Sequence, residues 1–243
     1  MKTTFWAIGD THLSFAKPRD FTQFGEKWHD HTDRIAAHWR QSVQPHDVVL
    51  MLGDTSWANS TSRVRPDIEW LAELPGRKVM IRGNHDRWWT NIKKVRRNIL
   101  PEGFYALQGD CMELEGVLLC GAQGHLAPDD PFYKPDPPKN RYERELDTLQ
   151  LALNAAKQAR KPGQQLIIMM HYPPFTSDAK PTLFSALVEE HAPAMCLYGH
   201  LHRSSEWKAA IQGQRAGIDY RLLSADFVDM MLQEVWTTNN ADA

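Results

Sequence analysis

The sequence has little cysteine and no long apolar run. It contains three scattered cysteines, Cys111, Cys120 and Cys196, whose odd number and spacing give neither a CxxC pair nor a four-cysteine zinc pattern. We therefore expect buried thiols in a reducing compartment. No segment approaches the length of a membrane span, and the apolar stretch at residues 5–8 is too short for a secretion signal. Together these absences predict a cytoplasmic protein with no place in a membrane.

An excess of charge of one sign is also missing. Lys and Arg together number 28, Asp and Glu number 30, and the formal net charge is -2. General coating of nucleic acid needs a strong positive field, which this balance does not supply. Hydrophobic residues make up 42% of the 243 residues, enough for a core that needs no cross-links. The sequence has no internal repeat and no linker-like segment, so we expect one domain over residues 1–243.

Short apolar runs alternate with helical patterns along the chain. The runs are typical of buried strands and cover residues 4–8, 48–52, 78–81, 117–120, 166–170 and 195–198. Helical spacing and terminal signals predict helices over residues 26–43, 66–74, 141–160 and 182–191. This alternation favours an α/β domain. The loop at residues 127–140 contains five prolines and is either a lid or a plain surface loop. The polar tail at residues 237–243 is expected to fray.

Polar clusters stand where five of the predicted strands end. They are Gly9-Asp10-Thr11-His12, Gly53-Asp54, Gly83-Asn84-His85-Asp86, His171-Tyr172-Pro173-Pro174 and Gly199-His200-Leu201-His202. Ligands of open α/β sheets bind beyond the carboxyl ends of the strands, so we expect these clusters to converge. Asp10 and His12 are two residues apart, as are His200 and His202. An extended backbone would point both members of each pair to the same side.

The clusters offer two Asp, one Asn and four His as candidate metal ligands, with His85 left over. This mixture suits Mn, Fe or Zn better than Ca or Mg, which favour all-oxygen sites. Seven ligands are too many for one tetrahedral zinc and agree with two cations that share a carboxylate. Taken singly, each residue has a plainer interpretation, such as a turn cap for Asp10. All the plain interpretations would have to hold at once, so the sequence favours a metal site.

The blocks DxH, GD, GNHD, H and GHxH, in this order, resemble the calcineurin-like metallophosphoesterase superfamily. The resemblance spans most of the chain and implies a four-layer α-β-β-α sandwich of two mixed sheets flanked by helices. It implies two divalent cations, with Mn expected and Fe or Zn as alternatives. The ligands it implies are Asp10, His12 and His202 for one cation, Asn84, His171 and His200 for the other, and Asp54 as the bridge.

The resemblance also implies an activity. A metal-bridging hydroxide would attack a phosphomonoester or phosphodiester, with Asp54 and His85 as the catalytic residues and His85 as general acid. Asn84 and His85 would bind the substrate, and Asp86 could orient His85. The residues after Asp54 lack the Asp-Arg pair of the protein Ser/Thr phosphatases, and 243 residues leave no room for the extra domains of the DNA-repair nucleases. What remains resembles the small bacterial predicted phosphohydrolases of this superfamily.

Three residues beside the blocks are further candidates for substrate contact. Arg82 precedes GNHD, and His125 follows a predicted strand. Trp88, next to Trp89, could form a stacking wall for a nucleobase. The plainer alternatives are a loop position for His125 and packing under the site for the two tryptophans.

These features leave three functions open. The first is a metal-dependent phosphoesterase acting on a small phosphate ester, which could be a nucleotide. The second is a nuclease or nucleotide phosphodiesterase, suggested by the tryptophans and by a basic cluster that the sequence also allows as a solvated helix face, namely Lys93, Lys94, Arg96 and Arg97. The third is a non-catalytic scaffold, which the retained His85 disfavours. The sequence has no strong signal for nucleic acid and none for an oligomeric state.

Overall fold

Two β-sheets lie face to face in the computed structural model, which describes residues 2–238. The first sheet has five strands in the order β11-β1-β2-β3-β4, and only β11 runs antiparallel to its neighbour. Its strands are β1 (Thr3–Ile8), β2 (Val48–Met51), β3 (Arg77–Ile81), β4 (Phe104–Leu107) and β11 (Gln233–Thr238).

The second sheet has six strands in the order β5-β6-β7-β8-β10-β9. Its inner strands are parallel, and the edge strands β5 and β9 are antiparallel to their neighbours. The strands are β5 (Cys111–Leu114), β6 (Val117–Ala122), β7 (Leu166–Met170), β8 (Met195–Tyr198), β9 (Gly213–Arg215) and β10 (Ile218–Leu222).

Helices cover the outer faces of both sheets. They are α1 (His31–Ser42), α2 (Arg65–Ala72), α3 (Ile92–Asn98), α4 (Arg141–Ala159), α5 (Leu183–Glu190) and α6 (Ser204–Ala209). Residues of α1, α2 and α3 pack on the first sheet, while α4 and α5 pack on the second. The predicted four-layer α-β-β-α sandwich is therefore confirmed. Within residues 2–238 no helix is both long enough and apolar enough to span a membrane.

Alternation along the strands explains the layers. In β2, Val48 and Leu50 point into the core between the two sheets, whereas Val49 and Met51 point toward the helices. Both faces are therefore buried, and a strand covered on both faces carries a continuous apolar sequence. This is why the inner strands could be found as apolar runs.

Some predicted boundaries are wrong. The helix expected over residues 26–43 begins only at His31, because Asp30 adopts a left-handed backbone with φ of 48°, which a right-handed helix cannot contain. A short 3₁₀ turn, Glu26–Trp28, precedes it. The tail expected to fray begins inside β11, where Thr237 pairs with Thr4. Residues 239–243 lie outside the described part of the chain.

The proline loop at residues 127–140 has neither helix nor strand. It is fixed at Asp130, a buried carboxylate that accepts hydrogen bonds from the backbone N–H of Phe132 at 2.8 Å and of Ser177 at 2.6 Å. One end of the loop is thus joined to the segment that follows β7. A role as a lid stays a prediction.

Candidate metal centre

The segments that follow β1 and β2 run side by side at the carboxyl edge of the first sheet. The backbone N–H of Asp10 donates to Gly53 O at 3.0 Å, and that of His12 donates to Asp54 O at 3.0 Å. These two bonds continue the pairing of the strands beyond their ends. They place the side chains of two predicted ligand blocks next to each other.

A backbone contact between the sheets brings the other blocks to the same place. Gly9 N–H donates to Leu223 O at 2.7 Å, and Ala225 N–H donates to Gly9 O at 3.0 Å. The end of β1 is thereby joined to the segment that follows β10 in the second sheet. The carboxyl ends of both sheets meet at this point, as the sequence predicted for the polar clusters.

Four candidate ligands adopt a left-handed backbone rather than the extended one expected for the DxH and HxH pairs. The φ angles are 58° for Asp10, 46° for His12, 49° for Asp54 and 73° for His200. Non-glycine residues enter this region at a cost, and such residues cluster at functional sites where the surrounding structure holds them. The two members of each pair therefore reach the site through tight turns and not through alternation along a strand.

Two glycines lie directly against the carboxylates. A Cβ at Gly83 would collide with the backbone N and carboxylate of Asp54, and a Cβ at Gly199 would collide with the carboxylate of Asp10. Only glycine lets these carboxylates approach the neighbouring backbone so closely. His200 N–H also donates to Asp10 Oδ2 at 2.9 Å, which fixes that carboxylate.

Asp10, His12 and His202 form one group of close donor atoms. His12 Nε2 lies 3.4 Å from His202 Nε2, and His202 Nε2 lies 3.5 Å from Asp10 Oδ1. One donor atom from each residue lies within 4.8 Å of the others. This spacing allows a single cation to touch all three.

Asp10, Asp54 and His171 form a second such group. His171 Nε2 lies 3.5 Å from Asp54 Oδ2, 2.8 Å from Asn84 Oδ1 and 3.2 Å from His200 Nδ1. The structure therefore brings all seven candidate ligands into one cluster. Asp10 belongs to both groups, whereas the sequence resemblance assigned the shared position to Asp54.

The donor atoms of the cluster are arranged to bind cations and not to form hydrogen bonds with one another. Asp10 Oδ1 is buried and has no hydrogen-bond partner, which is costly for a carboxylate oxygen. His171 Nδ1 lies 3.0 Å from Leu52 O, so this nitrogen carries the proton and Nε2 offers a lone pair. That lone pair faces the amide oxygen of Asn84 at 2.8 Å. Two acceptors in such contact repel unless they share a cation.

Burial and charge shift the ionisation of the cluster. Burial alone would raise the pKa of Asp10, but the nearby His202, together with the charges of His171 and His12, holds it well below its usual range. Burial and the charge of Asp10 raise the pKa of Asp54 well above its usual range. Burial lowers the pKa of His202, but Asp10 and Asp226 raise it to about 10. The carboxylates thus attract a positive charge to this place.

His85 lies beside the cluster. Its backbone N–H donates to Asp54 Oδ1 at 2.7 Å, and its Nε2 lies 3.9 Å from Asp54 Oδ2. The ring stacks on Trp57 with centroids 4.0 Å apart, and the side chain is 32% exposed, so solvent reaches it. Burial, the charge of His171 and the charge of Arg87 lower the pKa of His85 to about 4.

Asp86 does not orient His85, which corrects that expectation. Its carboxylate accepts hydrogen bonds from Ser56 N–H at 2.9 Å, Gly83 N–H at 2.8 Å and the indole of Trp88 at 3.0 Å. Asp86 is fully buried and ties the GNHD turn to the turn that follows Asp54.

The tryptophans after GNHD do not form a stacking wall. Trp88 is 0% exposed and Trp89 is 1% exposed, and both pack in the core between the first sheet and its helices. No ring face is open to a nucleobase, so the substrate contact expected of Trp88 is wrong. Packing under the site, the plainer alternative, agrees with the structure.

Arg82 and His125 lie near the cluster without joining it. The charge of Arg82 lowers the pKa of Asp54, though less than burial and Asp10 raise it. His125 stacks on Tyr172 with centroids 5.5 Å apart, and Tyr172 in turn packs on His200 with centroids 3.9 Å apart. His125 is thus one ring away from a candidate ligand. Substrate contact by Arg82 or His125 stays a prediction.

Two residues that hold the ligands were missed from the sequence. Asp226 Oδ1 lies 2.9 Å from His202 Nδ1, and the indole of Trp57 donates to His12 Nδ1 at 2.7 Å. With Nδ1 accepting, the neutral ring of His12 carries its proton on Nε2. Ligation through Nε2 therefore requires the proton to move and the indole bond to open. The only sequence signal for Asp226 is the alternating pattern of β10 just before it.

The comparisons with known proteins agree with this architecture. A family model described as calcineurin-like phosphoesterase matches residues 3–204. Gene 66 protein of Mycobacterium phage D29 is 35% identical over 82 residues, which is 34% of this chain and 40% of that protein. Its counterpart from Mycobacterium phage L5 is 28% identical over 81 residues, 33% of this chain and 39% of that protein. The chain thus covers about two fifths of the length of these curated relatives.

A solved structure has the same fold over almost its whole length. It is phosphopantetheinyl hydrolase from Mycobacterium tuberculosis, with a TM-score of 0.55, 15% identity and 96% of each chain covered. At this identity the likeness concerns the fold. The family match covers most of the chain and includes every predicted ligand block. The chain belongs to the calcineurin-like phosphoesterase family.

Proposed function

We propose that the chain hydrolyses a phosphate ester at a centre of two divalent cations. Asp10 Oδ1 carries this proposal, because it is a buried carboxylate oxygen without a hydrogen-bond partner in contact range of two histidines. The mixture of oxygen and nitrogen donors suits Mn, with Fe or Zn as alternatives. The residues proposed to hold one cation are Asp10, His12 and His202, those for the other are Asn84, His171 and His200, and Asp54 would bridge the two.

The cations and the side chains would have separate roles in the hydrolysis. Two cations held there would activate water as the nucleophile by lowering its pKa from about 16 toward about 7, and would neutralise charge on the phosphate. Asp54 would orient the attacking water, since its Oδ2 faces both His171 and His85. Asn84 and His85 line the exposed side of the cluster and would bind the phosphate oxygens.

His85 would donate a proton to the oxygen that leaves. Its own pKa is lowered to about 4 by burial and by the positive charges of its neighbours, so the free side chain is neutral at pH 7. A bound phosphate ester brings negative charge to the ring and raises that pKa. The proton is then available where the leaving oxygen needs it.

The test combines metal analysis with hydrolysis. The full chain purified with Mn should contain two cations per molecule and should hydrolyse 4-nitrophenyl phosphate. Asp54→Asn should lose most of the activity, and the exposed helix variant Asp33→Asn should keep it. A preparation loaded in turn with Mn, Fe and Zn that cleaves no phosphate monoester or diester would contradict the proposal.

The nuclease and scaffold hypotheses receive no support from the described residues. The nuclease hypothesis depended on Trp88 and Trp89, which are buried, and on the basic cluster, which lies on α3. Within that cluster Arg96 donates hydrogen bonds to Ala106 O and to Asp110, so its role is structural. The scaffold hypothesis needs a degraded site, whereas this chain has His85 and all seven candidate ligands in one place.

A further inference from the structure

A cleft opens beside His85, and neither His200 nor His202 lines it. It encloses about 80 Å³, and Trp57 and His85 line it together with four basic side chains. A cleft of this volume accommodates a small group of atoms but not a protein helix or a nucleic-acid duplex. The four basic side chains, here called the basic cleft residues, are Lys17, Arg19, Arg63 and Arg87.

The basic cleft residues come from the same segments that supply the metal ligands. Lys17 and Arg19 follow the DxH block, Arg63 follows Asp54, and Arg87 follows GNHD. The turns that bring the ligands together therefore also bring these charges together. Their position relative to His85 is set by the architecture of the site.

Positive charge in the cleft is not neutralised by the protein. Among the described residues 2–238, none of the basic cleft residues forms an ion pair with a carboxylate. Arg63 donates to the amide of Asn59 at 3.3 Å, and the guanidinium of Arg19 lies 4.5 Å above the indole of Trp57. Like charges gathered in a small cleft repel one another and focus a positive potential there. A bound anion would relieve this repulsion.

The acidic side chain in the cleft wall is already engaged. Asp67 is 0% exposed, and its carboxylate accepts hydrogen bonds from Phe15 N–H at 2.8 Å and from the hydroxyl of Ser56. It braces the two turns that carry the cleft and does not point its charge at the basic side chains. The space beside His85 is therefore positive.

A second groove at the metal cluster has a different character. A groove of about 680 Å³ is lined there by His200 and His202 and by apolar side chains such as Phe24 and Phe132. His85 does not line this groove. Because His85 is the proposed proton donor, the group that leaves must lie on the basic side and not on the apolar side.

We propose that the substrate carries a second anionic group on its leaving portion, and that the basic cleft residues bind it. The second group is a phosphate, phosphonate or carboxylate, the chemistry that arginine forks and ammonium groups recognise. This inference rests on the proposed function, because it assigns the leaving portion to the His85 side. It narrows the substrate class to phosphate esters with two separated anionic groups.

The test uses two substrates that differ only in the second anion. These are 4-(phosphonomethyl)phenyl phosphate and 4-ethylphenyl phosphate, whose leaving phenols are similar and whose phosphonate cannot be hydrolysed. With the Mn-loaded full chain, kcat/KM for the phosphonate compound should be at least about tenfold higher, which corresponds to about 1.4 kcal/mol. The ratio should fall as ionic strength rises, because the cleft is partly exposed.

Variants decide whether the cleft is responsible. In the double variant Lys17→Gln and Arg63→Gln, the ratio of the two kcat/KM values should fall toward one. The matched control removes two exposed charges of α3, Lys93→Gln and Arg97→Gln, and should keep the wild-type ratio. An equal ratio in wild type and cleft variant overturns the inference, and so does an equal fall in the control, which would indicate only the general field of the protein.

Failure of the proposed function gives a different pattern. If neither ester is cleaved, the proposed function fails, and calorimetric binding of the same two compounds to the Mn-loaded chain then tests the cleft alone. Tighter binding of the phosphonate compound that is lost in the cleft variant supports the inference. Equal affinity for the two compounds overturns it.

Discussion

Nδ1 of His202 lies 2.9 Å from a carboxylate oxygen of Asp226. The two residues follow β8 and β10, which are neighbours in the six-stranded sheet, so the pairing of those strands sets their distance. Asp226 is buried and fixes the orientation and the proton of the His202 ring. Nε2 is left to face Asp10 and His12. A carboxylate behind a ligating histidine also makes that histidine a stronger ligand.

Asp226→Ala should therefore weaken metal binding. Removal of such a supporting carboxylate costs about 10–100-fold in metal affinity, and calorimetric titration with Mn measures it. Asp229→Asn is the matched control, since Asp229 is exposed and paired with Arg34, and it should bind Mn like wild type. Unchanged Mn affinity in Asp226→Ala would show that His202 needs no support from this carboxylate.

His85→Gln should slow catalysis without emptying the site. His85 belongs to neither group of donor atoms, so the Mn content should stay at the wild-type level. Loss of a general acid reduces kcat by about 10²–10⁴-fold, and the loss should be largest for esters whose leaving group holds its negative charge poorly.

Two esters separate this role from a general disturbance of the site. The fall in kcat should be greater with phenyl phosphate than with 4-nitrophenyl phosphate, because nitrophenolate leaves without a proton. The exposed His29→Gln serves as control and should affect neither. An equal fall for both esters would mean that His85 positions the phosphate and does not donate a proton to the leaving group.

Asp54→Asn should stabilise the metal-free protein while it abolishes the stabilisation by metal. Burial and the nearby charge of Asp10 raise the pKa of Asp54. Above the ordinary pKa of 3.8 the unfolded chain ionises freely whereas the folded chain resists it, so the folded state loses stability as pH rises. A neutral amide removes that cost and still accepts the hydrogen bond from His85 N–H.

Thermal unfolding at pH 7 in a chelator checks this. A gain of about 1 kcal/mol would raise the Tm by about 2–4 °C for a chain of this size. Addition of Mn should raise the Tm of wild type strongly and that of Asp54→Asn little, because stabilisation by a ligand grows with the logarithm of its affinity for the folded state. A metal-free variant with a lower Tm than wild type would contradict the argument.

The sequence was sufficient to predict the inner strands and the candidate ligands, for related physical reasons. A strand buried on both faces must be apolar throughout, so β2 and β7 appear as short apolar runs, and the switch to Gly, Asp and His marks their ends. The same switch locates the ligands, because polar groups at the carboxyl edge of a sheet have few structural reasons to be there. One sequence pattern, a short apolar run followed by polar residues, thus predicted both the fold class and the ligand cluster.

The edges of the sheets and the supporting residues were not predicted. In β10 the side chains of Ile218, Tyr220 and Leu222 are buried and alternate with polar ones, a two-residue period that is a weaker signal than a continuous apolar run. The edge strand β9 is largely exposed and has no apolar signal at all. Asp226 depends on the pairing of β10 with β8, a contact between segments that are distant in sequence. The left-handed turns at the ligands likewise depend on tertiary contacts.

Lys78 offers a test of buried charge far from the metal cluster. It lies on β3 with 2% exposure, its ammonium group donates to Leu74 O, and the same group lies 5.1 Å from the centre of the Phe104 ring. Burial lowers its pKa from 10.5 to about 8. One pKa unit corresponds to about 1.4 kcal/mol, so this burial costs about 3 kcal/mol when the group is charged.

The sign of the effect follows from proton binding. Below pH 8 both states hold the proton and the folded state bears the full cost. Between about pH 8 and 10.5 the folded chain releases the proton while the unfolded chain keeps it, so stability rises with pH. Lys78→Met lacks this rise. At pH 7 the unfolding free energy of the variant should exceed that of wild type, and this excess should shrink by up to about 3 kcal/mol from pH 7 to pH 10. Urea unfolding of both proteins at pH 7, 8.5 and 10 measures the change, with the exposed Lys93→Met as control. A difference that stays constant across these pH values would show that Lys78 remains charged inside the fold.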